Sequence, residues 1–126
     1  MEDSPYLNLI TKGRKTGLSR TAELWFAFED EKLYFLAHED SDWWKNAIKN
    51  PDVEVEVSEI AFQGKARLVP EKLAHIFSLF RKKYGESQID KWYGGKRSAR
   101  RAVEVELLRV LGKRPSRQTS IPEITI

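Results

Sequence analysis

Three cations, two hydroxyls and two glycines fall within eight consecutive residues, Gly13-Arg14-Lys15-Thr16-Gly17-Leu18-Ser19-Arg20. Glycine admits backbone geometry that other residues resist. A loop of this make-up can turn backbone N–H groups toward an anion while Arg14, Lys15 and Arg20 neutralise it, which is phosphate-binding chemistry. The same composition also suits a solvated basic turn, so the loop alone does not decide between them. A second group of side chains, Trp43-Trp44-Lys45-Asn46, supplies aromatic surface and an amide. Charge for a phosphate and walls for a flat ring are what a protein contributes when a bound cofactor carries the hard chemistry.

Other chemistries find little support. Cysteine is absent, which removes disulfides, thiolate nucleophiles and the usual structural zinc sites. The two histidines, His38 and His75, stand in no metal-ligand spacing, so no metal site is expected. His38 opens a polar connector, where it could touch a ligand or serve the turn. No nucleophile elbow, Walker A loop or dinucleotide fingerprint occurs. No catalytic acid or base can be assigned from the residues.

The elements that must position these groups follow from periodicity. The chain has 126 residues, enough for one hydrophobic core, and a net charge of only +3. Tyr6 to Thr11 and Thr21 to Glu29 read as strands on either side of the basic loop. In the second, Ala22, Leu24, Phe26 and Phe28 share the core face, while Trp25 on the opposite face needs cover from a partner subunit or a ligand. Asp30-Glu31 turns the chain into a strand from Lys32 to Ala37. The connector His38-Glu39-Asp40-Ser41-Asp42 holds N-cap residues for a two-turn helix, Trp43 to Lys49, stopped by Asn50-Pro51.

Val53, Val55 and Val57 alternate with acids in the next strand, and Ser58-Glu59 turns it into Ile60 to Val69. Gly64 and Ala66 there leave room for a tight bend or a close approach by another body. Pro70 opens an amphipathic helix carrying Leu73, Ile76, Phe77, Phe80 and Tyr84, and Gly85 stops it. A short helical turn covers Gln88 to Tyr93. The basic cluster Lys96, Arg97, Arg100 and Arg101 precedes a last strand, Val103 to Gly112. It reads either as a solvated run or as a reach toward a cofactor phosphate. The pattern is that of a mostly β fold, antiparallel, six-stranded and closed or nearly so, with two or three helices. One domain spans 1–112, with 113–126 as its polar tail. No signal run or membrane-length segment is present, and a cytoplasmic location is the default.

Gly13-Arg14-Lys15-Thr16-Gly17 with Arg20-Thr21, followed by Trp43-Trp44-Lys45-Asn46 and Asn50-Pro51, resembles the deazaflavin (F420)-dependent nitroreductase and quinone reductase family. That family belongs to the flavin-binding split-barrel group, which also holds pyridoxamine phosphate oxidase-like enzymes. The likeness covers roughly the first seventy residues. It implies a six-stranded split β-barrel of Greek-key type, a homodimer, F420 or FMN as cofactor, and hydride transfer to a small acceptor such as a quinone or nitro compound. Carried over by position, it implies that Arg14, Lys15, Thr16 and Arg20 contact the cofactor phosphate. Trp43, Trp44 and Asn46 would lie near the ring or substrate, with packing an equal role for one tryptophan. The connector before Trp43 is shorter and more acidic than the family's, so FMN stands beside F420. A non-catalytic flavin or deazaflavin binder shares this site. A nucleic-acid-binding barrel is disfavoured because Glu54, Glu56, Glu104 and Glu106 line strand faces that it would keep basic.

Overall fold

The computed structural model describes residues 4–93 and 100–113. Its elements are β1 (Leu7–Lys12), β2 (Ser19–Leu24), β3 (Ala27–Glu29), β4 (Lys32–His38), α1 (Asp42–Lys49), β5 (Asp52–Val57), β6 (Ile60–Leu68), a 3-10 turn (Pro70–Lys72), α2 (Leu73–Tyr84), α3 (Glu86–Trp92) and β7 (Arg100–Lys113). The strands form one sheet in the order β2-β1-β5-β6-β7-β4-β3, every pairing antiparallel. Its two edge strands, β2 and β3, are consecutive pieces of one chain separated by Trp25 and Phe26 alone. The sheet must therefore curl until its edges nearly meet, which makes a barrel split at that bend.

The strand count of seven, against the six expected, comes from this bend. The continuous strand expected from Thr21 to Glu29 breaks where α2 supplies replacement partners. Phe26 N–H donates to Tyr84 Oη at 3.0 Å, and Lys83 Nζ donates to the Phe26 carbonyl at 2.9 Å. Tyr84 Oη in turn donates to the Pro5 carbonyl at 2.6 Å. Burial pushes the Tyr84 hydroxyl up to about 12, so it keeps its proton at neutral pH. Trp25 needs no outside cover, because its ring stacks on Tyr84 at 4.4 Å between centroids.

Two cores lie on opposite faces of the curled sheet. The barrel interior holds Leu9, Phe26, Leu33, Phe35, Val55 and Val105, with Trp43 and Ala47 of α1 closing one end. Outside, α2 and α3 bury Ile76, Phe77, Phe80 and Ile89 against Tyr34, Leu36 and Ala102. The space expected at Gly64 is filled from within. A Cβ there would sit 2.5 Å from Val105 Cγ1 and 3.1 Å from the Glu106 carbonyl, and the β6–β7 register shifts at Gln63/Gly64. Leu68, at the end of β6, is exposed. Both expected two-residue turns form with positive φ at each residue, Asp30-Glu31 and Ser58-Glu59, as the twist of a tight hairpin requires.

Arg100 and Arg101 of the second basic cluster open β7 rather than preceding it, and neither is fully solvated. Arg100 is buried under the Tyr93 ring and donates to the Trp92 carbonyl at 2.9 Å; burial holds its pKa below the ordinary guanidinium value. Arg101 pairs with Glu39 at 3.3 Å. Lys96 and Arg97 fall outside the described residues, as does the expected tail from residue 114 onward.

Glu104, expected on a polar face, is almost fully buried on the outer side of β7. Arg67 pairs with it, Lys72 Nζ lies 3.4 Å and Lys32 Nζ 3.6 Å away, and Tyr34 Oη donates to it at 3.2 Å. Burial alone would raise its pKa. The hydrogen bond and charge of Arg67, with the two lysines, outweigh that and hold it below the ordinary carboxylate value. A depressed folded pKa means that this stabilisation is present above the unfolded pKa and is lost as pH falls through the folded one. Glu104→Gln is expected to lower stability at pH 7 by about 2 kcal/mol, since three cations lose their shared anion. The gap between variant and wild type should close when urea titrations are repeated below the ordinary carboxylate range. A gap independent of pH would contradict the charge account.

Candidate functional site

The basic loop forms the hairpin between β1 and β2. Gly13 N–H donates to the Leu18 carbonyl and Gly17 N–H to the Gly13 carbonyl, both at 2.8 Å, while Thr16 Oγ1 accepts from Leu18 N–H at 3.2 Å. Gly17 takes φ 72°, the left-handed turn for which glycine is suited. A Cβ on Gly13 would meet Thr16 Oγ1 at 2.8 Å, so the loop closes this tightly only with glycine there. The loop is thus braced by its own amides. From Gly13 to Leu18, the N–H groups of Lys15 and Thr16 are those with no partner among the described residues, fewer than the expected ring of unpaired donors.

Helix α1 faces this loop. Asn50-Pro51 ends it as expected, and the Asn50 N–H donates to the Asn46 carbonyl. It places Asp42, Trp43 and Asn46 beside the loop. Arg14 bridges the two: its backbone N–H and its Nη1 both donate to Asn46 Oδ1, at 3.1 and 2.9 Å, and its Nη2 donates to Asp42 Oδ1 at 3.3 Å.

Between loop, β2 and α1 lies an open cleft of about 340 Å³. Thr11, Gly13, Thr21 and Ala22 contribute to its walls together with Arg14, Lys15, Thr16, Arg20, Asp42, Trp43 and Asn46. The volume falls within the range of small-molecule sites, about 300–1,000 Å³. Six of the seven site residues expected from sequence meet there. Lys15, Thr16 and Arg20 are exposed, Arg14 is half-buried, and Trp43 is buried except where it borders the cleft.

Trp44 is the seventh and does not reach the cleft. Its Nε1 donates to the His38 carbonyl at 2.9 Å, so it pins the connector. One tryptophan therefore packs against the connector, while Trp43 packs edge-on against Phe35 at 5.6 Å and also walls the cleft. His38 serves the turn, its Nδ1 accepting from Asp40 N–H at 3.1 Å. Asn46 holds Arg14 and also lines the cleft. Sequence reasoning missed Asp42 as a partner of Arg14. The spacing of Asp42 and Asn46, four apart on one helix, was a signal that both side chains share a face.

The curled antiparallel sheet is the split-barrel fold of the group that the sequence resembles. The family described as F420H(2)-dependent quinone reductase matches residues 1–93, and this chain belongs to it. No curated protein matches the sequence. Among solved structures, an F420-H2 dependent reductase is 24% identical with a TM-score of 0.64, over 81% of this chain and 94% of that one. HutZ, the heme storage protein from Vibrio cholerae, is 16% identical with a TM-score of 0.71, over 87% of each chain. A structure described as a domain-swapped dimer is 22% identical with a TM-score of 0.66, over 81% of this chain and 80% of that one. These likenesses show the fold.

Proposed function

We propose that this chain is a cytoplasmic reductase that binds F420H2 and passes its hydride to a small organic acceptor, a quinone or a nitro compound. The observation that carries the reading is the convergence of Arg14, Lys15, Thr16 and Arg20 on one cleft beside Trp43. Family membership favours F420 over FMN. The residues present fit such a group: exposed cations and two unpartnered amides for a phosphate, and an apolar wall for a ring.

In this reading Lys15 and Arg20 hold the phosphate, the Thr16 hydroxyl and the Lys15 and Thr16 amides add hydrogen bonds, and Arg14 supplies charge from the α1 side. Trp43 and Ala22, which line the cleft, would give a ring an apolar wall and keep water from it. The cofactor, when bound, supplies the hydride. The chain's part is binding and orientation, with protons drawn from solvent rather than from a dedicated acid.

We also take the working unit to be a homodimer. Beyond Glu106, β7 exposes Leu108, Val110 and Leu111, apolar side chains that a second copy would cover.

Fluorescence titration of ligand-free protein with F420 and with FMN tests the proposal. F420 is expected to bind well below about millimolar dissociation constant, roughly −4 kcal/mol, and more tightly than FMN. Failure of both to bind at that level would end it.

A further inference from the structure

Arg14 is engaged before any ligand arrives. Asn46, itself buried, takes hydrogen bonds from both the backbone and the guanidinium of Arg14, and Asp42 takes a third from Nη2. The Asp42 carboxylate is 78% exposed, so it is not sequestered in the fold but stands at the cleft mouth. The ionisable groups lining the cleft are Arg14, Lys15, Arg20 and Asp42, three positive and one negative.

We propose that Asp42 is a specificity-determining residue: its carboxylate biases the cleft toward a singly charged phosphodiester and against a doubly charged phosphate monoester. The inference rests on the reading of the cleft as a phosphate site. Coulomb energy is linear in ligand charge, so one fixed negative charge opposes a dianion twice as strongly as a monoanion at the same place. A phosphate monoester loses its second proton near pH 6 and is a dianion above that, whereas a diester stays a monoanion. F420 carries a phosphodiester and FMN a terminal monoester, so at the phosphate group itself Asp42 opposes the second more than the first. It also explains how an acidic connector coexists with an anion site. Asp42 is paired with Arg14, which offsets much of its repulsion while leaving the net charge of the cleft lower by one.

The test uses two simple probes at pH 8 and low salt, phenyl phosphate as the monoester and methyl phenyl phosphate as the diester. Binding is followed by NMR through the amides of Gly13 and Gly17, in wild type, Asp42→Asn and Asp42→Glu. Across about 7 Å of water-like medium, one charge changes affinity roughly threefold. Asp42→Asn is expected to tighten the diester by about that factor and the monoester by about its square, roughly ninefold. Added salt should shrink both gains, because these charges are screened within about 10 Å at 0.1 M. Asp42→Glu keeps the charge and should keep the wild-type preference, which separates charge from any loosening of Arg14. Equal gains for both probes, or none, overturn the role of Asp42 while leaving the phosphate site standing. Neither probe shifting the loop in any variant overturns the phosphate reading, and this inference with it.

Discussion

Replacing Lys15 and Arg20 together by alanine is expected to weaken F420 binding at least a hundredfold. Each is placed to make a charge-assisted contact of about 1.5–3 kcal/mol, and 1.4 kcal/mol corresponds to a factor of ten. Both side chains are exposed and neither takes part in the bonds that brace the loop, which run through Gly13, Thr16, Gly17 and Leu18. The fold should therefore hold, with stability within about 0.5 kcal/mol of wild type. Paired measurements, a fluorescence titration and a urea unfolding curve, separate the two effects. Affinity unchanged in the double variant would mean that the loop is only a turn.

Phe77→Ala should do the reverse. Phe77 is fully buried between α2 and the outer face of the sheet, with its ring edge-on to Tyr93 at 6.3 Å. Truncating a buried phenylalanine costs about 3–5 kcal/mol through lost burial and the cavity left behind. That is a large share of a small domain's total, about 5–15 kcal/mol. Unfolding by urea should shift accordingly, while the fraction still folded binds F420 as wild type does, because the cleft draws none of its walls from this outer core. A loss below about 1 kcal/mol would mean that the helices are not packed on the sheet as described.

The parts of the fold that were legible in the sequence are those governed by local rules. Alternation in Val53-Val55-Val57, the stop at Asn50-Pro51 and the amphipathic spacing from Leu73 to Tyr84 each specify an element without reference to anything distant. The break at Trp25-Phe26 was not legible, because its cause is Tyr84 and Lys83, nearly sixty residues away, replacing the strand partners that Phe26 gives up. Glu104 was misread for a similar reason. Alternation placed it on the face opposite Val103 and Val105, which is correct, but only the tertiary fold brings Arg67, Lys72 and Lys32 around it and buries it. Six of the seven residues expected at the candidate site line one cleft, because two short motifs carry them. The clip from Arg14 to Asn46 and Asp42 joins segments about thirty residues apart, and no local pattern announces such a pair.

The central claim is that the hairpin after β1 grips the charged end of a planar redox cofactor. A crystal structure of the protein with F420 tests it most directly. The phosphate is expected within hydrogen-bond distance of Lys15, Thr16 and Arg20, with the ring against Trp43. A cofactor ordered elsewhere on the barrel, with those three side chains left in solvent, would contradict it.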